Sequence, residues 1–387
     1  MSIRQLSLTD FRSYRHLDLT FGAGPNVVLG RNAAGKTNLV EAIVVLSRGR
    51  SHRSPADPDL VRWGCPFSRA AATVTSAPDG PADELEVLIH APAAVPRGAP
   101  GGAQGTARKR IRVNGVNRRP GALAGLLRTV LFAPEDMLLI AGSPSSRRAT
   151  LDALVVQREP TAASVMSTYS RVLTQRNSLL RRVRDEAASR DELAYWDDAL
   201  CLHGARIRAW RREALSALAG PLAAAHDEIA PGEDALGIRY DSNVEPGPAE
   251  DDDKALRRRL REIADKEVWN GATLVGPHRD DIVFAAGGRD LASFASRGQQ
   301  RSAILALKFA EVDALTTLDG RSPLLLLDDV FSELDPERRA HLVRRIDSLP
   351  QAIVTTTTAD DLDPSLLAVS NLYRAEGGTV HPGPATP

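Results

Sequence analysis

The period of apolar and polar positions changes several times along this 387-residue chain. Residues 2–9 alternate, and so do 16–21, the pattern of half-buried strands. Gly22 to Pro25 break the chain, and Asn26-Val27-Val28-Leu29 then reads as a short buried strand. Positions 39, 42, 43 and 46 are apolar at helical spacing, which predicts a helix over 38–46. Alternation at 70–76 and 84–90 predicts two further strands. Arg108 to Val113 predicts another, closed by Asn114-Gly115, a pair suited to a tight hairpin. Residues 91–107, rich in Ala, Pro and Gly, read as a poorly ordered loop.

From Ser143 to about Glu228 the period becomes helical. Val165, Tyr169, Val172, Leu173, Leu179, Leu180 and Val183 form one stripe, and Leu193, Trp196, Leu200, Ile207, Trp210, Leu215, Leu218 and Leu222 form a second. The two stripes predict an antiparallel helical arm. A strand over 236–241, a helix over 253–267 and a return to β character over 271–284 follow. The four leucines from Leu324 to Leu327, bounded by Pro323 and Asp328, suit a central parallel strand. The expected fold is α/β, a mixed sheet with helices into which the arm is inserted. The expected domains are 1–143, 144–270 and 271–387, the first and last completing one another.

Composition changes this picture little. The apolar and charged fractions are those of an ordinary globular chain. No apolar run is long enough to span a bilayer, and Met1 to Leu6 has no signal-peptide character. Cys65 and Cys201 lie far apart with no metal-ligand spacing. A cytoplasmic location is expected. The formal net charge is +0, which argues neither for nor against a nucleic-acid partner. Residues 144–215 carry 13 arginines against 9 acidic residues, a mild excess whose bland reading is a solvated face.

The candidate chemistry begins at Gly30-Arg31-Asn32-Ala33-Ala34-Gly35-Lys36-Thr37, which matches G-x-x-x-x-G-K-[ST] between a strand and a helix. Such a turn aims unpaired backbone N–H groups and the positive end of a helix dipole at its centre, so a polyphosphate fits there. Lys36 would reach the β- and γ-phosphates, and the Thr37 hydroxyl would ligate Mg²⁺. A glycine turn before a helix is the plain alternative. The chain has five lysines against 44 arginines, however, and one of the five occupies the loop position where a compact ammonium is wanted. At the end of the leucine strand, Asp328 would hold Mg²⁺ opposite Thr37, and Asp329 would orient or deprotonate water. Ser296-Arg297-Gly298-Gln299-Gln300-Arg301 opens a helix with a hydroxyl and a glycine N–H, a second anion site. Ser332-Glu333-Leu334-Asp335 closely follows the two aspartates.

In this order the motifs resemble the ABC-type ATPase heads shared by SMC proteins, where S-x-G-Q is the signature and S-x-L-D the D-loop. From end to end the chain resembles the RecF family of bacterial recombination mediators. The resemblance rests on Leu8 to Tyr14, Gly30 to Thr37, Gly49 to Arg53, Pro134 to Asp136, Gly142 to Pro144 with Arg147-Arg148, Gly276-Pro277-His278-Arg279-Asp280-Asp281, Ser296 to Arg301 and Leu325 to Asp335. It implies ATP and Mg²⁺ as cofactors and a weak DNA-dependent ATPase with Lys36, Asp328 and Asp329 at its centre. It further implies a head-to-tail homodimer in which Ser296, Gly298 and Gln299 of one copy close over the nucleotide of the other. DNA, double-stranded or gapped with single-stranded as the alternative, and RecO- and RecR-type proteins are the implied partners. Repair, replication and the SOS response are the implied processes.

Some positions depart from the ABC pattern. Asp329 stands where most such heads carry Glu, which implies slow turnover. Thr357, within Thr355 to Thr358, occupies the position normally held by a switch His. No Q-loop glutamine stands between Val130 and Asp136. Three other classes share parts of the motif set. A transport ATPase subunit does not need the long stretch between Lys36 and Ser296. A nuclease-linked head would need a further metal domain after Asp335. A scaffold that binds ATP without cleaving it is separated only by measuring phosphate release.

Overall fold

The computed structural model describes residues 1–76, 80–91, 108–248 and 250–383. Of the loop expected over 91–107, residues 92–107 lie outside the described ones. The chain divides into two compact units. The first comprises Met1–Met137, Glu228–Pro231 and Arg301–Pro387, and the second comprises Leu138–Asp227 and Gly232–Gln300.

The first unit holds two six-stranded sheets. One is antiparallel, in the order Tyr14–Thr20, Ser2–Phe11, Phe67–Thr75, Ala82–His90, Arg108–Val113, Val116–Arg118. Asn114 (φ 50°) and Gly115 (φ 74°) supply the left-handed pair its last hairpin requires. The Arg108–Val113 strand therefore lies one place in from the sheet edge. The other sheet runs Thr379–Pro382, Asn371–Glu376, Gly24–Leu29, Gln351–Thr356, Leu324–Asp328, Thr129–Phe132. Its neighbours pair in parallel except for the terminal hairpin. Leu324 to Leu327 are all buried, as expected of a strand covered on both faces.

The helix Lys36–Arg48 is buried almost all round. Leu39, Val40, Ala42, Ile43, Val44, Val45 and Leu46 belong to one core with residues from both sheets, such as Leu6, Val87, Leu326 and Ile353. That setting explains why its apolar positions exceed a single stripe. Each fully buried Leu or Ile contributes roughly 1.5–3 kcal/mol, so this core fixes where the helix N-terminus stands.

The second unit is built on the helices Pro144–Arg158, Ala162–Arg184 and Leu193–Ile229, with Asp252–Glu262 and Ala264–Asn270 packed beside them. Tyr169, Val172, Leu200, Ile207, Leu256, Leu260 and Val275 make its core. The unit runs on to Gln300, past the boundary at residue 270 expected from the sequence. The reason is that Asp281–Ala286 pairs antiparallel with Leu236–Asp241, and with Arg289–Asp290 on its other side. Residues 271–280 are not a strand, contrary to the β character read there.

Gly276 to Asp281 is instead the polar hub of this unit. Asp280 accepts from Arg208 Nε (2.8 Å) and Nη2 (2.7 Å), from the Tyr240 hydroxyl (2.7 Å) and from the Asn243 N–H. Arg147 forks onto Asp281. His278 Nε2–H donates to the Thr273 carbonyl, so its Nδ1 accepts from the Tyr169 hydroxyl at 2.7 Å. Burial pushes the His278 pKa down to about 4, so the ring is neutral near pH 7. Gly276 has φ 124°, and a Cβ there would meet the Tyr169 hydroxyl oxygen at 2.5 Å. Among the described residues no helix is long and apolar enough to cross a membrane.

Candidate functional site

The loop Gly30 to Thr37 stands at the carboxyl end of the second sheet, between the strand Gly24–Leu29 and the helix Lys36–Arg48. Parallel strands place ligand chemistry at that end. Two positions need a left-handed backbone, Ala33 (φ 66°) and Gly35 (φ 108°). Gly30 passes so close to the neighbouring strand that a Cβ would lie 2.6 Å from the Ala375 carbonyl oxygen. Arg31, Asn32 and Ala33 are exposed at the rim and Ala34 is half-buried. The Lys36 ammonium lies back along the loop, donating to the Gly30 carbonyl at 2.6 Å and the Arg31 carbonyl at 3.3 Å. Burial pulls its pKa below the ordinary lysine value, while Asp329 and Asp328 act in the opposite direction.

The leucine strand delivers the carboxylates. The Thr37 hydroxyl donates to Asp328 Oδ1 at 3.3 Å, across 291 residues of sequence. Burial pushes the Asp328 carboxyl up, with Asp329 and Glu135 adding to the effect and hydrogen bonds from Thr355 and Thr37 opposing it. Asp329 follows at φ 54°, held by its N–H to the Thr355 carbonyl and hydroxyl, each at 3.1 Å. Its Oδ1 is buried with no hydrogen-bond partner. A half-buried hydroxyl, a buried carboxylate and an orphaned carboxylate oxygen beside a phosphate-type loop fit Mg²⁺. That ion characteristically takes one or two carboxylates plus phosphate and water.

Three supporting contacts were not readable from motifs. The buried Tyr14 hydroxyl donates to the Gly35 carbonyl at 2.9 Å and so braces the loop from the first sheet. Arg12 forks onto the buried Glu41, which also accepts from Ser51. Burial would raise the Glu41 carboxyl, but the Arg12 and Ser51 hydrogen bonds outweigh it and hold it below the usual range. Thr355 Oγ1 donates to Asp328 Oδ1 at 2.6 Å. The threonine that meets the carboxylate is therefore Thr355, whereas Thr357, the position read as the switch, stands just beyond the strand end. A repeating hydroxyl run could have signalled this only with the strand boundary known.

The S-x-G-Q stretch caps the helix Arg297–Thr316. The Ser296 N–H donates to Gln299 Oε1 (3.0 Å), and the Gln299 N–H donates to Ser296 Oγ (3.2 Å). This is a reciprocal capping box. The Ser296 hydroxyl keeps its own proton as a donor, and Ser296 and Gln299 are exposed. Asp335 caps the helix Pro336–Asp347, and the Ser332 hydroxyl donates to the Asp329 carbonyl at 3.1 Å. The last motif thus touches the aspartate pair directly.

A family model described as the RecF/RecN/SMC N terminal domain matches residues 2–379. The chain is 41% identical over 401 residues to the DNA replication and repair protein RecF of Chloroflexus aurantiacus, covering 99% of this chain and 100% of that one. To the protein of the same name from Geobacillus kaustophilus it is 36% identical over 398 residues, covering 98% and 99%. A solved structure of the recombination mediator protein RecF-ATPrS in the RecFOR pathway matches with a TM-score of 0.86 at 30% identity, over 98% of both chains. An SMC head bound to the C-winged helix domain of ScpA shares the fold, with a TM-score of 0.50 at 15% identity over 98% and 96%. With its motifs in order and full-length likeness on both sequence and structure, the chain belongs to the RecF family within the RecF/RecN/SMC group.

Proposed function

We propose that this chain is an ATP-dependent DNA-binding protein of repair and replication, which dimerises on ATP and hydrolyses it slowly. The observation that carries the reading is the meeting of Lys36, Thr37 and Asp328 at the carboxyl end of the parallel sheet. The relatives' names, a DNA replication and repair protein and a recombination mediator in the RecFOR pathway, support this setting; RecO- and RecR-type partners and action at single-strand gaps are part of the proposal.

The chemistry follows from the residues. The N–H groups of Arg31 to Thr37 face the phosphates, except that of Ala34, which donates to the Arg31 carbonyl, and the Lys36 ammonium leaves its loop carbonyls for the β- and γ-phosphate oxygens. Thr37 and Asp328 would hold Mg²⁺, which when bound would neutralise phosphate charge. Asp329 orients the attacking water with its unpaired Oδ1. Ser296 and Gly298 of a second copy close on the γ-phosphate, so losing that phosphate removes contacts to both chains and dissolves the pair. ATP thereby stabilises the dimer by differential binding.

Two outcomes are expected. Sizing of the protein should show dimers with ATP, and monomers with ADP or without nucleotide. An ATP-independent size would overturn the reading. The short side chain of Asp329 limits turnover, so Asp329→Glu should raise the phosphate-release rate several-fold at unchanged ATP affinity. A wild-type rate already fast and not improved by Glu would contradict the assignment.

A further inference from the structure

The middle of the helix that starts at the S-x-G-Q turn carries a charge in an unexpected place. Lys308 is only 4% exposed, and its ammonium stands 3.2 Å from Asp136 Oδ1 and 3.8 Å from Glu311 Oε1. Asp136 uses its other oxygen to accept from the Ala133 N–H at 2.9 Å. Ala133 directly follows Phe132, which pairs with Leu327, the residue before Asp328. The segment Ala133 to Asp136 is therefore folded at the carboxyl end of the sheet, beside the aspartate pair, and Lys308 grips its end. The opposite end of the same strand is tied to the loop helix. Ser47 and Thr129 share a 2.7 Å hydroxyl bond, and Arg48 Nη2 donates to the Thr129 carbonyl at 3.2 Å.

Such a cluster is a poor way to gain stability. Burying ions costs several kcal/mol each, and well-packed apolar side chains of similar volume commonly do as well or better. What an ion pair provides instead is a link that is sensitive to distance and direction. Burial opposes the Lys308 ammonium, but Asp136 and Glu311 outweigh it and hold its pKa above the ordinary lysine value, so the ammonium is charged near pH 7. Glu135, next to Asp136, is close enough for its charge to act on Asp328.

We infer that Lys308 is a positioning residue that couples the S-x-G-Q helix to the chain's own nucleotide site through Asp136. This rests on the reading above, in which Ser296 and Gly298 engage a phosphate held by a second copy. When that end of the helix engages, Lys308 moves with it. Asp136 follows, and the Ala133–Asp136 segment shifts Glu135 relative to Asp328. Each chain then adjusts its own site to the nucleotide held by its partner.

The test uses the full-length chain. Lys308→Met combined with Asp136→Asn removes the ion pair and leaves Glu311 under the charge of Arg48. The expected result is ATP binding within about threefold of wild type, retained ATP-dependent dimers, and a kcat lowered about tenfold at unchanged KM. Lys308→Arg should restore kcat to within two- to threefold. Equal kcat in all three proteins, or Lys308→Arg behaving like the paired variant, would overturn the inference. A second readout needs no change at Lys308. Hydrogen exchange at the Ala133 amide should change when wild type dimerises on ATP, and not in Ser296→Arg with ATP bound. No change on dimerisation would equally overturn it. If wild type neither binds ATP nor dimerises, the functional reading fails; if it does both and these readouts stay flat, only the coupling fails.

Discussion

Lys36→Met should weaken ATP binding by at least about 100-fold while leaving the fold in place. The ammonium rests on the Gly30 and Arg31 carbonyls at 2.6 and 3.3 Å, partners it exchanges for phosphate oxygens when nucleotide binds. A hydrogen bond to a charged group contributes about 1.5–3 kcal/mol, and two phosphates lose their cation. Since 1.4 kcal/mol is a factor of ten, a loss of about 3 kcal/mol already exceeds 100-fold. Methionine fills the space of the lysine stem and brings in no new polar group, so the thermal midpoint should move little. Titration with a fluorescent ATP analogue, alongside a melting curve, checks both halves. ATP affinity equal to wild type would remove Lys36 from the site.

Asp280→Ala should be the most damaging single change outside the nucleotide site. Asp280 and Arg208 are both fully buried and joined by two hydrogen bonds of 2.8 and 2.7 Å. The same carboxylate holds the Tyr240 hydroxyl and the Asn243 N–H. Removing it leaves the buried Arg208 guanidinium with Asp252, at 3.7 Å, as its nearest carboxylate, and takes the acceptor from the Tyr240 hydroxyl and the Asn243 N–H. Breaking a buried pair in this way costs about 3–5 kcal/mol, a large part of an ordinary domain's stability. Denaturant unfolding should show the second unit melting first, with Asp280→Asn intermediate because it keeps an acceptor. A variant as stable as wild type would mean that the hub does not support the unit.

The parts of the site that lie within one stretch of chain were legible from sequence. Gly30 to Thr37 announces itself because a strand, a tight turn and a helix are local patterns, and Leu324 to Asp329 does so because a strand buried on both faces must be apolar until its end. Contacts across the fold were not legible. Nothing local tells that Tyr14 braces Gly35, or which threonine of Thr355 to Thr358 meets Asp328. That distinction depends on where the Gln351–Thr356 strand stops. Charged residues misled in another way. Arg208 lies in the 144–215 stretch whose bland reading was a solvated face, yet it is buried, because burial of charge is decided by partners far away in sequence. The arm boundary slipped for the same reason, since Asp281–Ala286 belongs with Leu236–Asp241 through pairing across an intervening pair of helices.

The claim at the centre is that each nucleotide is gripped by Lys36 of one copy and by Ser296 of another. The most direct measurement mixes two defective proteins. Lys36→Met lacks the cradle, and Ser296→Arg binds ATP but lacks the closing turn. Sized alone with ATP, each should remain monomeric. Mixed in equal amounts, they can build one intact site from the good half of each, so dimers holding one ATP per two chains should form. If the mixture stays monomeric and binds only the ATP held by the Ser296→Arg protein alone, the shared site is contradicted.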